Sequence, residues 1–67
     1  MNKTYDVVFN NDSASNQKGW YETKEYCIDY IKSNNGTTES YFEDYKNGVV
    51  QVVCNETNEV VFEEIVI

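Results

Sequence analysis

Apolar and polar residues alternate from Thr4 to Asn10, with Tyr5, Val7 and Phe9 on one side and Asp6, Val8 and Asn10 on the other. A period of two is the signature of a strand with one buried face. The next stretch, Asn11 to Gly19, is rich in Asn, Ser and Gly and has no apolar period, so it predicts an exposed loop. From Thr23 the period becomes helical. Thr23 suits an N-cap, Cys27, Ile28 and Ile31 form a stripe widened by Tyr30, and Asn35-Gly36 supplies a left-handed stop. About three turns are expected, with Glu25 near the start and Lys32 near the end complementing the helix dipole, and with Trp20 and Tyr21 packing back as a staple.

The segment ESYFEDYK, residues 39–46, suits a short helix or a strand. Tyr41, Phe42 and Tyr45 have helical spacing, yet the aromatic content fits a strand equally well. Asn47-Gly48 followed by the β-branched run VVQVV is a strong hairpin signal, and it favours the strand. Two further strands are expected over Val49 to Cys54 and Glu59 to Val66, joined by Asn55 to Asn58 with Asn58 left-handed. Pairing Asn55 with Glu59 sets Cys54 opposite Val60, Val52 opposite Phe62 and Val50 opposite Glu64. Glu64 then interrupts the apolar face, and a bulge at Glu63-Glu64 would turn Ile65 and Ile67 inward. The prediction is one α+β domain over residues 1–67, ordered β-α-β-β-β, with a single amphipathic helix on one face of a small, mostly antiparallel sheet. Val8, Val53 and Val61 would lie on the uncovered face, where they form a possible dimer surface.

Length sharpens this picture. Sixty-seven residues provide for one core. One Trp, six Tyr and three Phe supply bulk for it, which separates the chain from a disordered acidic tail.

Charge changes the picture more. Twelve carboxylates against five lysines give a net charge of -7, with no His and no Arg. Such a surface repels nucleic acid and anionic lipid and attracts basic protein surfaces. Without His or Arg, acid–base catalysis falls to carboxylates, Tyr, Lys or Cys, and no guanidinium clamp exists. A carboxylate pair for glycoside cleavage needs a cleft that a domain of this size hardly forms. No enzyme activity and no cofactor are expected. Cys27 and Cys54 lack metal-ligand spacing and read as reduced core residues, a disulfide between them being the lesser alternative. There is no Asp-x-Asp-x-Asn-Gly loop, so no calcium or other metal site is predicted. Tyr26, Tyr30, Tyr41 and Tyr45 could stack on bases, but the net charge makes core and rim packing the better account.

The first residues carry neither a charged leader nor a long apolar run, so no secretory signal or membrane span is expected. Four Asn-x-Ser/Thr sequons, at Asn2, Asn11, Asn35 and Asn55, then read as accidents of composition, and the expected compartment is the cytoplasm.

The candidate partner-binding residues are Glu39, Glu43, Asp44, Glu56, Glu59, Glu63 and Glu64. If residues 39–46 and the last hairpin are all strands, these carboxylates cluster on one part of the sheet. Alternate strand residues recur at roughly 6.6 to 6.8 Å, a spacing like that of a nucleic-acid backbone. The competing reading is a solvated acidic surface that keeps a small protein in solution.

Residues 41–64, YFEDYKNGVVQVVCNETNEVVFEE, together with the opening YDVVFNN, resemble small acidic proteins of phages and mobile elements in low-GC Gram-positive bacteria. The resemblance spans about half the chain and implies context: such proteins include inhibitors of host defence, among them anti-CRISPR proteins that occupy basic nucleic-acid channels. No signature motif of a named inhibitor family is matched, so no functional residue carries over. The expectation is a non-enzymatic acidic protein that docks on a basic surface of a host protein such as a CRISPR effector. The alternative is a self-associating structural module.

Overall fold

A computed structural model describes residues 3–11, 15–17, 19 and 22–67. Four antiparallel strands form one sheet: β1 (Tyr5–Asn10), β2 (Ser15–Gln17), β3 (Val49–Cys54) and β4 (Val60–Ile65), in the order β2-β1-β3-β4. Two helices, α1 (Lys24–Asn34) and α2 (Ser40–Asp44), lie between β2 and β3 in the chain. The α+β class stands, and the order of elements is β-β-α-α-β-β.

Alternation in β1 and β3 builds the core. Val7 and Phe9 of β1 and Val50 and Val52 of β3 are fully buried on the helix side, where Cys27 and Ile31 of α1 and Phe42 of α2 meet them. Each fully buried aliphatic or aromatic side chain contributes roughly 1.5–3 kcal/mol. Helix α1 begins and ends where the sequence predicts. The Thr23 hydroxyl accepts from the Tyr26 N–H at 3.2 Å, and Gly36 takes φ +89° just beyond the end. Glu25 in the first turn and Lys32 in the last complement the dipole. Among the described residues, no helix is long and apolar enough to cross a membrane.

Residues 39–46 do not form the expected strand. Their aromatics have helical spacing because they converge on one ring: Phe9 meets Phe42 edge-on at 4.9 Å, Tyr41 at 5.3 Å and Tyr45 at 5.8 Å. A strand would send Tyr41 and Phe42 to opposite faces, so burying both against Phe9 selects the helix. Asn47-Gly48 is consequently a helix-to-strand junction and not a hairpin turn. Asn47 takes φ 71°, and its N–H donates to the Val66 carbonyl at 2.8 Å. Gly48 is required by close approach, since a Cβ there would stand 2.3 Å from the Asn10 carbonyl oxygen.

The fourth strand comes from the expected loop. Ser15–Gln17 pairs with β1, setting Gln17 opposite Val8 and Ser15 opposite Asn10. All three residues are exposed, so no apolar period announced them. The proposed staple of Trp20 and Tyr21 lies outside the described residues.

In the last hairpin Val52 faces Phe62 and Val50 faces Glu64, as predicted. Near the turn the register differs. Asn58 is left-handed at φ 62° and donates to the Cys54 carbonyl, while the Cys54 N–H donates to the Glu59 carbonyl. Val60 therefore faces Val53 instead of Cys54, and the irregularity falls beside Val61 instead of Glu63-Glu64. Regular alternation then continues to the end of β4. Val66 is the buried residue, and Ile65 and Ile67 are exposed rather than turned inward. Val61 correspondingly packs against the core and not on the open face.

Candidate functional site

The seven candidate carboxylates divide into three groups. Glu39 is the N-cap residue of α2 and half-buried, and its carboxylate accepts the Tyr30 hydroxyl at 2.5 Å. Burial and this bond raise the Tyr30 pKa, so the phenol stays protonated. Glu43 and Asp44 are exposed on α2. These three residues sit near the Val49 end of β3, because α2 leads directly into that strand. Glu56 and Glu59 are exposed in the β3–β4 turn, at the opposite end. Six strand residues separate the two ends by roughly 17–20 Å.

Glu63 and Glu64 are neighbours on β4 and point to opposite sides. Glu64 stands on the helix side, paired with Val50, where the Asn35 amide donates to it at 2.9 Å. Glu63 stands on the open side. The expected single anionic row is thus not formed: α2 is helical, the turn lies a strand length away, and the two β4 carboxylates are split across the sheet.

Three exposed carboxylates do share one end of the sheet, with the Lys3 charge acting on Cys54 among them, and sequence reading missed part of this arrangement. Glu22 exchanges both backbone hydrogen bonds with Tyr5, Tyr5 pairs with Cys54, and the Cys54 N–H donates to the Glu59 carbonyl. Glu22, Glu56 and Glu59, all exposed, therefore share one end of the sheet. Three strand spacings set Glu22 and Glu59 about 14 Å apart. Only the tertiary pairing of residue 22 with Tyr5 brings them together, and no local motif encodes it.

The open face has its own order. Asn10 Nδ2 donates to Gln51 Oε1 at 3.0 Å, and Gln51 Nε2 donates to Glu63 Oε2 at 2.7 Å. This polar chain crosses β1, β3 and β4. On either side of the Gln51–Glu63 pair stand apolar cross-strand pairs, Val53 with Val60 and Val49 with Ile65. Val60 is 49% exposed and Ile65 64%. Val8, beside Gln51 on β1, is half-buried on the same face. Nearer β2, Asp6 is only 2% exposed and accepts from Gln17 Nε2 at 3.2 Å.

Both cysteines are free and buried, yet they differ chemically. Burial, then the charges of Asp6 and Glu22, push the Cys27 thiol up to about 11. Cys54 moves the other way: the Thr57 hydroxyl and the Thr57 N–H stabilise its thiolate, burial opposes them, and the Glu56 N–H and Lys3 assist. Among the described residues, no group of three or more His, Cys, Asp or Glu side chains is arranged to hold a metal ion. The arrangement offers exposed carboxylates at the turn end and on α2, and one carboxylate fixed among apolar residues on the open face. Compared with known proteins, the chain matches no family model, no curated protein and no solved structure.

Proposed function

We propose that this chain is a non-enzymatic acidic binding protein that docks on a basic surface of another protein. The observation that carries the reading is a net charge of -7 on 67 residues, with Glu22, Glu43, Asp44, Glu56, Glu59 and Glu63 all exposed. Such a field raises the encounter rate with cationic surfaces and disfavours anionic ones. In its finer form, suggested by the resemblance to small acidic phage proteins, the basic surface is the nucleic-acid channel of a host effector and binding competes with nucleic acid.

The alternative, self-association through the sheet face opposite the helices, draws on exposed Val60 and Ile65 together with Val8 and Val53. Two features weigh against it. Glu63, at the end of the chain from Asn10 through Gln51, would be buried there with no lysine among the facing strand residues of the second copy to meet it, and each copy brings the same negative charge.

The test uses the protein as bait in a low-GC Gram-positive lysate, at low and high salt and with added single-stranded RNA. Capture that is lost in high salt, lost to RNA competition and weakened by the triple variant Glu56→Lys, Glu59→Lys, Glu63→Lys is the expected outcome. Capture indifferent to salt and to the triple variant would sink the electrostatic reading. Loss to salt without competition by RNA would remove only the finer form.

A further inference from the structure

We infer that the open face of the β3–β4 hairpin is the docking surface, and that it takes an extended basic segment of a partner in which one cation is flanked by two apolar residues. This rests on the acidic-binding reading above and places the direct contact beside Glu63, the Glu22, Glu56 and Glu59 end contributing only long-range attraction. The observation is the order of three cross-strand rows on that face: Val53 with Val60, Gln51 with Glu63, and Val49 with Ile65.

Each row is two residues from the next along β3, so rows recur at roughly 6.6–6.8 Å. An extended partner presents side chains on one face at that same interval. Apolar residues at i and i+4 therefore meet the outer rows when a Lys or Arg at i+2 meets Glu63. Docked side chains would cover Val60 and Ile65, which the domain leaves about half or more exposed. Asp6, opposite Val53 on the β1 side of this face, is buried, but Val60, Glu63 and Ile65 on the β4 side are exposed, and large exposed apolar residues bracketing a charge mark a surface made for contact.

Charge selects the occupant. The Glu63 carboxylate is held by Gln51 Nε2 at 2.7 Å, and Gln51 is itself held by Asn10, so the anion is oriented before any partner arrives. A second copy would set Glu63 against an equally anionic surface. A cation there gains an oriented acceptor at low ordering cost.

The edge of β4 is a poorer site for the same segment. The Asn35 amide already donates to the Ile65 carbonyl and accepts from the Ile67 N–H, both at 2.9 Å. Those two groups face away from β3, because Val66 between them bonds to Gly48 and Asn47. A side chain thus occupies the edge as a strand would, and the irregularity at Val61 disturbs the other end.

The test is an amide-resolved NMR titration of the full chain at low salt with three synthetic peptides. The first carries a valine–serine–lysine–serine–valine unit, the second replaces both valines with serine, and the third replaces the lysine with glutamate. The expected result is binding of the first alone or most tightly, with shifts concentrated at Gln51, Val53, Val60, Glu63 and Ile65. Glu63→Gln should weaken it about tenfold, the loss of roughly 1.4 kcal/mol, while Glu56→Gln changes it less than about twofold. Equal binding of the valine and serine peptides, with shifts at Glu22, Glu56 and Glu59, overturns this surface but leaves the acidic-binding reading intact. If neither lysine peptide binds, both are overturned. Concentration-dependent shifts on the same face without any peptide would identify a second copy as its occupant and overturn the assignment.

Discussion

The two faces of β3 differ in what holds them. On the helix side Val50 and Val52 are sealed under Phe9, Phe42 and Ile31, whereas on the other side Gln51 lies in a hydrogen-bonded chain between Asn10 and Glu63. The same six residues, VVQVVC, thus supply cohesion to one side and an oriented, half-exposed surface to the other. Stability and recognition should therefore be separable by substitution, and the separation can be tested from the core outward.

The largest effect is expected at Phe42. Its ring is fully buried and sits between Phe9 at 4.9 Å and Tyr30 at 5.5 Å. Phe42→Ala should cost about 3–5 kcal/mol, comparable with the whole stability of a small domain. Urea denaturation should find the variant largely unfolded without denaturant. A loss below about 1 kcal/mol would mean that α2 is not integral to the core.

Gly48→Ala tests the junction that joins α2 to the sheet. A methyl group would collide with the Asn10 and Tyr45 carbonyl oxygens, at 2.3 Å and 2.9 Å. Because backbone must move to relieve this, a loss of about 1–3 kcal/mol is expected in the same denaturation measurement. A neutral substitution would show the junction to be loose, and the contrast between the two faces would lose its rigid frame.

Asn35→Ala should come next, at about 1–3 kcal/mol, since it removes the amide that bonds Glu64, Ile65 and Ile67. Glu64 is a carboxylate on the apolar side, and Asn35 is what makes it tolerable there. The double variant Asn35→Ala, Glu64→Leu separates the two roles. Recovery of part of the loss would locate the cost in the stranded carboxylate, and no recovery would locate it in the freed β4 backbone.

What the sequence made legible follows the reach of each signal. Thr23, Asn35-Gly36 and the Cys27–Ile31 stripe defined α1, because capping and helical period are local. The alternation of β1 and the distal register of the last hairpin were legible for the same reason, with Val52 and Phe62 meeting as expected. Residues 39–46 were ambiguous alone. Phe9, some thirty residues earlier, decides them, and no window of sequence contains both partners. Ser15–Gln17 forms a strand through backbone pairing with β1 and has no buried side chain to announce it. The acidic surface was legible in amount but not in arrangement. Glu63 and Glu64 are adjacent in sequence, yet the pleat sends one to the face opposite the helices and the other to the helix side, where Asn35 holds it.

The smallest stability effect is expected at Glu63, and that smallness is what makes the position informative. The residue is exposed, its bond from Gln51 is at the surface, and a glutamine retains a carbonyl oxygen able to accept it. Glu63→Gln should thus alter unfolding free energy by no more than about 0.5 kcal/mol. Its charge cannot be replaced in the same way: a partner cation meeting the open face would find a dipole where it had met an anion. Comparable stability with weakened binding of the lysine–valine peptide would divide the two faces of β3 by function. A loss of stability above about 1 kcal/mol would instead make the Asn10–Gln51–Glu63 chain a structural brace, and the distinction between a cohesive face and a recognition face would fail.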